Sequence, residues 1–476
     1  MHSVPGSTAD LDNRPGKPRI GLVSFSIIPD DPRVRKQGDL LAKRGWDVVG
    51  IGLPGHLSPL PQWRCLVVRD DLAPATLADG GDLRIRASRL LTALREALNA
   101  QARPHPSLLW KVLKEAALLV GRDPAAALWV AGPIPRRLLN MIAWLQAGRA
   151  LRAAGDTVTP EREFRICLRL NRSFQGLYEA ARGERVDLWL ANDWPTLPIV
   201  RKLAAETGVP YAYDTHELAI DEYAERWVWR HVQQPVIAAI ERIGIKGAAF
   251  VTCVSGGIAE RLAEFHGLAR RPQVVRNIPP YEPSVFRPTG ERISVLYHGW
   301  VSPGRNLEGC IESVRLWNPE FSLTIRGPAN PEYLAHLQGL ANNFGVAERV
   351  QFSPAVPMVE LVRTASRHDV GLFALPNHSL QNVHVLPNKL FEYMMAGLVL
   401  CVSDLPEMAR IVKDHRLGEL IETTTPQAIA AAINRLDRAS IDTHKRNALA
   451  AAKQLCWEIE GEKLANACER AIAPAG

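Results

Sequence analysis

This sequence predicts an α/β protein with two Rossmann-like, doubly wound parallel-sheet domains that face each other across a cleft. Three observations carry that expectation. Short buried strand patterns alternate with helical ones along most of the 476 residues. The alternation breaks and restarts at a turn-rich segment, Asn277-Ile278-Pro279-Pro280. Charged and glycine residues gather where the strands end, which is where open parallel sheets bind ligands.

In the first half, Arg19-Ile20-Gly21-Leu22-Val23-Ser24-Phe25 reads as a strand. Asp31-Pro32 then supplies a cap and a first-turn proline to a helix through Leu41, closed by Arg44-Gly45-Trp46. Val48-Val49-Gly50-Ile51 completes a strand-helix-strand opening. The unit recurs as strand Val186 to Ala191, helix Pro195 to Glu206 and strand Val209 to Asp214. Val251-Thr252-Cys253-Val254-Ser255 is a further strand, after which Gly256-Gly257 allows a helix to begin. The second half reads as strands at Ile293 to Tyr297, Phe321 to Ile325, Val350 to Phe352, Val370 to Phe373 and Leu398 to Val402, with helical patterns between them.

The expected domains are a flexible terminus over 1–18, an N-terminal domain over 19–283 and a C-terminal domain over 284–455. A helix over 456–476, around Trp457-Glu458-Ile459-Glu460, follows. A helical insertion over about 84–175 interrupts the first domain. Hydrophobic residues make up 47% of the chain, enough for large cores. Seven scattered cysteines, none spaced as Cys-x-x-Cys, argue against a disulfide framework and a structural zinc, so a reducing cytoplasm is expected. The first 17 residues have no apolar core of a signal peptide, and no run reaches the roughly 18 apolar residues of a membrane span.

The richest segment is Leu386-Pro387-Asn388-Lys389-Leu390-Phe391-Glu392-Tyr393-Met394-Met395-Ala396-Gly397. Helical spacing puts Lys389, Glu392 and Tyr393 on one face, with Leu390, Phe391, Met394, Met395 and Leu398 anchoring the other. Asn388 is the expected N-cap. A cation one turn from a carboxylate at a helix start suits an anionic ligand.

This string resembles the nucleotide-sugar-binding segment of the GT-B glycosyltransferases, above all the retaining family 4. The resemblance covers the second half almost continuously and the first half more loosely. It implies that Glu392 holds the donor ribose and that Lys389 lies near the diphosphate, with Asn388 and Leu390 beside them. It also implies retention of anomeric configuration, and a last helix that packs back on the N-terminal domain.

Sugar transfer needs a nucleotide site, cations or amide dipoles for the diphosphate, and groups that orient the acceptor. For the diphosphate, Tyr297-His298-Gly299-Trp300-Val301-Ser302-Pro303-Gly304-Arg305 is a strand end, a loop and a helix approach. Arg305 matches the family's cation there, and Gly299 its close-approach glycine. Arg326-Gly327 ends another buried strand, and Gly327 is expected near the base. On the acceptor side, Asp214-Thr215-His216-Glu217 closes a strand, and His216 matches a family histidine beside the transferred sugar. Asn192-Asp193 ends the preceding strand and resembles an element that shapes the acceptor pocket. Asp31 and Arg33 sit where relatives present a loop to the donor phosphates. The expected catalytic set is therefore His216, Arg305 and Lys389.

Two positions depart from the family pattern. A second glutamate, eight residues before the one matched by Glu392, is replaced by His384, and an arginine after the first loop glycine is replaced by Trp300. A bulged loop would let His384 or Asn382 compensate. No His/Asp/Glu grouping has metal-ligand spacing, so no metal or other cofactor is expected.

Net charge is +7, yet Arg84 to Arg172 holds 16 Lys/Arg against 6 Asp/Glu, so this block carries the whole basic excess. Leu108-Leu109-Trp110-Lys111 and Arg136-Arg137-Leu138-Leu139 through Trp144 mix indoles with cations, as segments that rest on an anionic membrane do. Core-facing helices with solvated arginines are the other reading. No nucleic-acid motif occurs.

The expected function is transfer of a sugar from a nucleoside diphosphate donor to a glycan or lipid-linked acceptor, in surface polysaccharide assembly, in the cytoplasm or on the inner membrane face. A non-catalytic relative that binds nucleotide or glycan or scaffolds partners is the alternative, and a sugar-nucleotide epimerase is a third.

Overall fold

The computed structural model describes residues 16–56, 58–68 and 133–473. Most of the basic insertion, Leu108 to Lys111 included, lies outside them.

The first sheet contains β1 (Arg19–Ser24), β2 (Asp47–Gly52), β3 (Arg64–Val67), β4 (Leu188–Asn192), β5 (Tyr211–Thr215), β6 (Val251–Cys253) and β7 (Gln273–Val274). Their order is β3-β2-β1-β4-β5-β6-β7, and every neighbouring pair is parallel. Helices α1 (Pro32–Lys43), α2 (Pro133–Ala154), α3 (Pro160–Leu168), α4 (Ser173–Ala181), α5 (Leu197–Thr207), α6 (Gln234–Gly247) and α7 (Gly256–His266) accompany it. Every residue of β4 and β5 is buried, as expected of strands covered on both faces.

The second sheet contains β8 (Ile293–His298), β9 (Phe321–Arg326), β10 (Val350–Ser353), β11 (Val370–Phe373), β12 (Val399–Ser403) and β13 (Gly418–Ile421). Its order is β10-β9-β8-β11-β12-β13, again parallel throughout. Helices α8 (Leu307–Ser313), α9 (Pro331–Asn343), α10 (Leu361–Ala365), α11 (Leu380–His384), α12 (Asn388–Met395), α13 (Pro406–His415), α14 (Pro426–Asn434) and α15 (Arg438–Ala452) connect and cover these strands. The strand order reverses between β1 and β4 and between β8 and β11, so each sheet opens a crevice there.

The chain crosses between the sheets after β7 and returns at α16 (Trp457–Ile472). In α16, Leu464, Ala465 and Cys468 share a core with Ile20, Leu22, Val48 and Leu188 of the first sheet. The Trp457 amide donates to Pro279 O at 3.0 Å and its indole Nε1 to Lys36 O at 3.2 Å, which clamps helix, linker and α1 together.

Local chemistry accounts for the helix starts. Asp31 Oδ1 accepts from the amides of Arg33 and Val34, and Ser255 Oγ accepts from that of Ile258. The expected cap at Asn388 is not formed. Pro387 is the N-cap of α12, with no side-chain bond, and Asn388 is already the first helical residue. Trp144, for which a lipid surface and a core-facing helix were both open, packs against the core of the first sheet and meets Trp194 edge-on at 6.1 Å.

Beneath the carboxyl edge of the first sheet, Arg33 forms a two-pronged ion pair with Asp214, both bonds 2.6 Å long and both side chains buried. Gln37 and Thr252 also donate to this carboxylate, and Arg33 Nη1 donates to Val275 O at 2.9 Å. Burial disfavours the charge on Asp214, but Arg33 and His216 outweigh it and hold the carboxyl well below its usual range. Arg33→Met strands that carboxylate and should cost about 3–5 kcal/mol in urea unfolding, whereas Arg35→Met, at a partly exposed pair with Asp39, should cost under about 1 kcal/mol.

Candidate active site

The C-terminal half of the candidate site is built on the strand ends of the second sheet. β8 ends at His298, then Gly299 (φ 121°) turns the chain, and beside it β9 ends at Arg326 and Gly327 (φ 155°). A Cβ on Gly327 would lie 1.8 Å from Gly299 O, so only glycine permits these two loops to pass. α12 lies over the crevice with Lys389 at its first turn. The Lys389 ammonium stands 4.3 Å from the centre of the Phe373 ring and 5.7 Å from that of Tyr297, and a Cβ on Gly299 would touch its Nζ at 3.3 Å. Burial and the nearby Arg305 bring this lysine down to about 8, although Glu392 and Glu217 support its charge.

Glu392, one turn on, lies 2.9 Å from His298 Nε2. Arg326 Nη2 donates to the other ring nitrogen of His298 at 3.2 Å, so Nε2 carries the proton that faces Glu392. Tyr393 stacks on the same imidazole, ring centres 4.7 Å apart, and its hydroxyl accepts the His298 amide at 3.0 Å. Burial works against the Glu392 charge, but His298, Lys389 and Lys36 together hold its carboxyl below the ordinary range. An ionised carboxylate with one edge open suits vicinal hydroxyls.

The N-terminal half of the candidate site lies at the ends of β4 and β5. Both ring nitrogens of His216 meet oxygens: Nδ1 is 3.2 Å from Asp193 Oδ2, while Nε2 is 3.4 Å from Asp214 Oδ2 and 3.1 Å from Asn192 Oδ1. Asp193 also accepts the His216 amide at 3.3 Å. Asp193 has φ 63° and ψ 156°, a region almost confined to glycine, so the fold holds strain of about 1–3 kcal/mol at this corner. Burial alone would lower the His216 pKa, but the two carboxylates raise it to about 10. His216 is thus a fixed imidazolium, a donor and a positive charge rather than a free base.

The two halves meet through Glu217, which is exposed in the cleft. Partial loss of water between the facing domains, with Glu222 and Asp193 nearby, raises its carboxyl to about 7, against the pull of His216 and of Arg305 from the opposite domain. Arg305, in the loop before α8, makes no hydrogen bond or ion pair among the described residues. The structure therefore sets Arg305 and Lys389 opposite His216 and Glu217. Lys36 adds a third cation from α1. It donates to Asn277 Oδ1 at 2.6 Å and falls to about 7 through burial and Arg33, against the support of Glu392 and Asp31.

Several placements differ from expectation. Leu390 is fully buried in the C-terminal core, and its amide donates to Pro387 O, so it offers a ligand nothing. Arg326 is buried, and its Nη2 donates to the His298 ring. Asp214 and Arg33 are buried and pair with each other, with Gln37 and Thr252 also donating to the carboxylate. Asp31 caps α1. His384 and Asn382 do not fill the place of the missing glutamate: His384 packs on Gly257 of the other domain, and Asn382 Nδ2 donates to Pro376 O. Trp300 is 69% exposed. The residues that sequence reading left unassigned are His298, Lys36 and Glu222. A histidine directly before a strand-end glycine was the available signal for the first.

The two halves match sequence-family models in turn. Residues 119–278 match the glycosyl transferase 4-like domain, and residues 282–454 match glycosyl transferases group 1. A sucrose-phosphate synthase from Thermosynechococcus elongatus has a similar structure, with TM-score 0.63 and 16% identity over 96% of this chain and 100% of its own. Anabaena HepE, in complex with UDP and glucose, gives TM-score 0.60 at 13% identity over 95% and 99%. The lipopolysaccharide outer core galactosyltransferase WaaB, in its apo form, gives 0.54 at 10% over 95% and 99%. At such identities the likeness is one of fold. No curated protein sequence matches significantly. Two facing parallel sheets that match these models define a GT-B glycosyltransferase. Within that class the chain resembles family 4.

The charge on His216 is directly measurable. Its ring nitrogens, assigned in NMR spectra by comparison with His216→Gln, should keep imidazolium shifts from about pH 6 to about pH 8; a titration midpoint near the ordinary value of about 6.5 would show that the two carboxylates do not hold the proton.

Proposed function

We propose that this glycosyltransferase moves a sugar from a nucleoside diphosphate sugar to a glycan or lipid-linked acceptor, with retention of configuration and without a metal, in surface polysaccharide assembly. The observation that carries this reading is the facing pair of sets, Arg305 and Lys389 opposite His216 and Glu217. Glu392 takes the ribose hydroxyls, and Gly299 and Gly327 let the donor approach the backbone. As the C1–O bond to diphosphate breaks, its electron pair passes to the diphosphate, whose growing charge Arg305 and Lys389 meet. The acceptor oxygen bonds to C1, and its proton passes to the departing diphosphate. His216, whose two ring N–H groups are already taken by protein oxygens, contributes a fixed positive charge beside the sugar and takes no proton.

A non-catalytic role is favoured only by Trp300 and His384 at the two departing positions. The reading as an enzyme is preferred because Arg305, Lys389 and Glu392 remain grouped. Metal independence follows if these cations neutralise the diphosphate; among the described residues no three His, Cys, Asp or Glu side chains are placed to hold an ion. Placement on the inner membrane face rests on the basic block alone. No helix of the described residues is long and apolar enough to cross a membrane.

UDP is the first nucleotide to titrate, since the HepE structure contains it. Calorimetry should show saturable binding that EDTA leaves unchanged and that Glu392→Ala weakens by about 10–100-fold, the worth of a charge-assisted pair of hydrogen bonds. Failure of UDP, GDP, ADP and dTDP alike to bind would count against the donor site. Binding should also weaken as pH rises through about 8, because the anion prefers the protonated form of Lys389, and Lys389→Met should abolish that dependence. An affinity flat across this range in the unaltered protein would refute the role given to Lys389.

A further inference from the structure

We infer that α11 is a positioning element that fixes the acceptor-side strand end against the donor helix, with Gln381 and His384 as its two grips; this rests on the transferase reading above. α11 belongs to the C-terminal domain and ends three residues before α12, which carries Lys389 and Glu392. It nevertheless packs on α7 and on the turn Ala219–Asp221, both of the N-terminal domain.

The first grip is Gln381. Its side chain is buried, and Oε1 accepts the Leu218 amide at 2.6 Å. Leu218 is the second residue after His216. A buried backbone N–H that loses its partner cannot turn to water instead, so this bond fixes where the His216-Glu217 segment stands relative to the other domain. The second grip is His384. Its carbonyl accepts Ser255 Oγ at 2.7 Å, and its ring lies flush on Gly257. A Cβ on Gly257 would sit 2.3 Å from Nδ1, 2.9 Å from Cγ and 3.2 Å from Cβ of His384, so a side chain at 257 must displace that ring. Glu407 of α13 secures the same corner, with Oε1 accepting the Gly257 amide at 2.7 Å.

This arrangement gives the departing position a use. Where the family pattern has a carboxylate for the donor, His384 is turned across the boundary and holds the two substrate-bearing segments together. Gln381 and His384 touch neither nucleotide nor sugar in this scheme; they act through the backbone that carries His216 and through α7.

The test is a double-mutant comparison on the full chain: Gly257→Ala, His384→Ala, the two combined, and Gln381→Ala. Each is read by small-angle scattering, by calorimetric titration with UDP and by release of UDP from UDP-glucose. Gly257→Ala should enlarge the radius of gyration and cut turnover by about 10–100-fold while UDP affinity stays within about twofold, since a small misplacement far from the chemistry costs rate. His384→Ala alone should lower turnover moderately with UDP binding intact, and adding it to Gly257→Ala removes the clash, so the double variant should rise above Gly257→Ala to the level of His384→Ala; Gln381→Ala should lower turnover with UDP binding intact. A Gly257→Ala protein unchanged in shape and rate, or a double variant no better than the single, would overturn the inference. An unaltered protein that neither binds UDP nor cleaves UDP-glucose would count against the transferase reading with that donor, and the scattering comparison would then decide the inference by itself.

Discussion

Everything on the acceptor side hangs on the buried carboxylate of Asp214. Arg33 from α1, Gln37 from the next turn, Thr252 from β6 and His216 from its own strand end all converge on it. An ion pair in so dry a place tolerates no partial version of itself, because a lone partner keeps its charge and loses its solvation. Through Arg33 and Val275 the same node reaches β7 and the start of the linker. One acid thus sets the angle of α1, the spacing of three strands and the protonation of the histidine above it.

The donor side follows a comparable layering on the other sheet. Arg326 lies deepest, His298 rests on it with Tyr393 stacked alongside, and Glu392 is the outermost member. Each layer fixes the next: the guanidinium selects the tautomer of His298, and the tautomer selects the face presented to the carboxylate. The ammonium of Lys389 is held over two aromatic rings rather than by an anion, which leaves its charge available.

The two sheets were legible in the sequence because covered strands are continuous apolar runs, and Leu188–Asn192 or Val399–Ser403 can hardly be anything else. β7, with two residues, and β13, half-buried along most of its length, carry too little pattern to be seen. The helix with Lys389 and Glu392 was readable for the same reason that it is stable, an apolar face of fixed period. Its cap was misread because Asn388 is a favourable capping type, whereas the proline before it already takes the extended backbone conformation a cap needs. Arg33 was read as part of a phosphate-facing loop because its partner Asp214, 181 residues away, leaves no trace in the local sequence. Gln381 escaped notice, since its partner is a backbone amide and leaves no trace in residue type.

The placement of α16 has a bearing on how the molecule is made. Leu464, Ala465 and Cys468 fill the core beneath β1, β2 and β4, elements at the opposite end of the chain in order of synthesis. The first sheet therefore emerges from the ribosome with this face covered by α1 and Trp63 but not by α16, and it stays so while the whole second domain is translated. At about 5–20 residues per second, the interval between β4 and α16 lasts on the order of tens of seconds. The second domain, whose core draws on residues 278 to 456, can fold first. The nascent N-terminal half is thus the stage at which a chaperone is most needed.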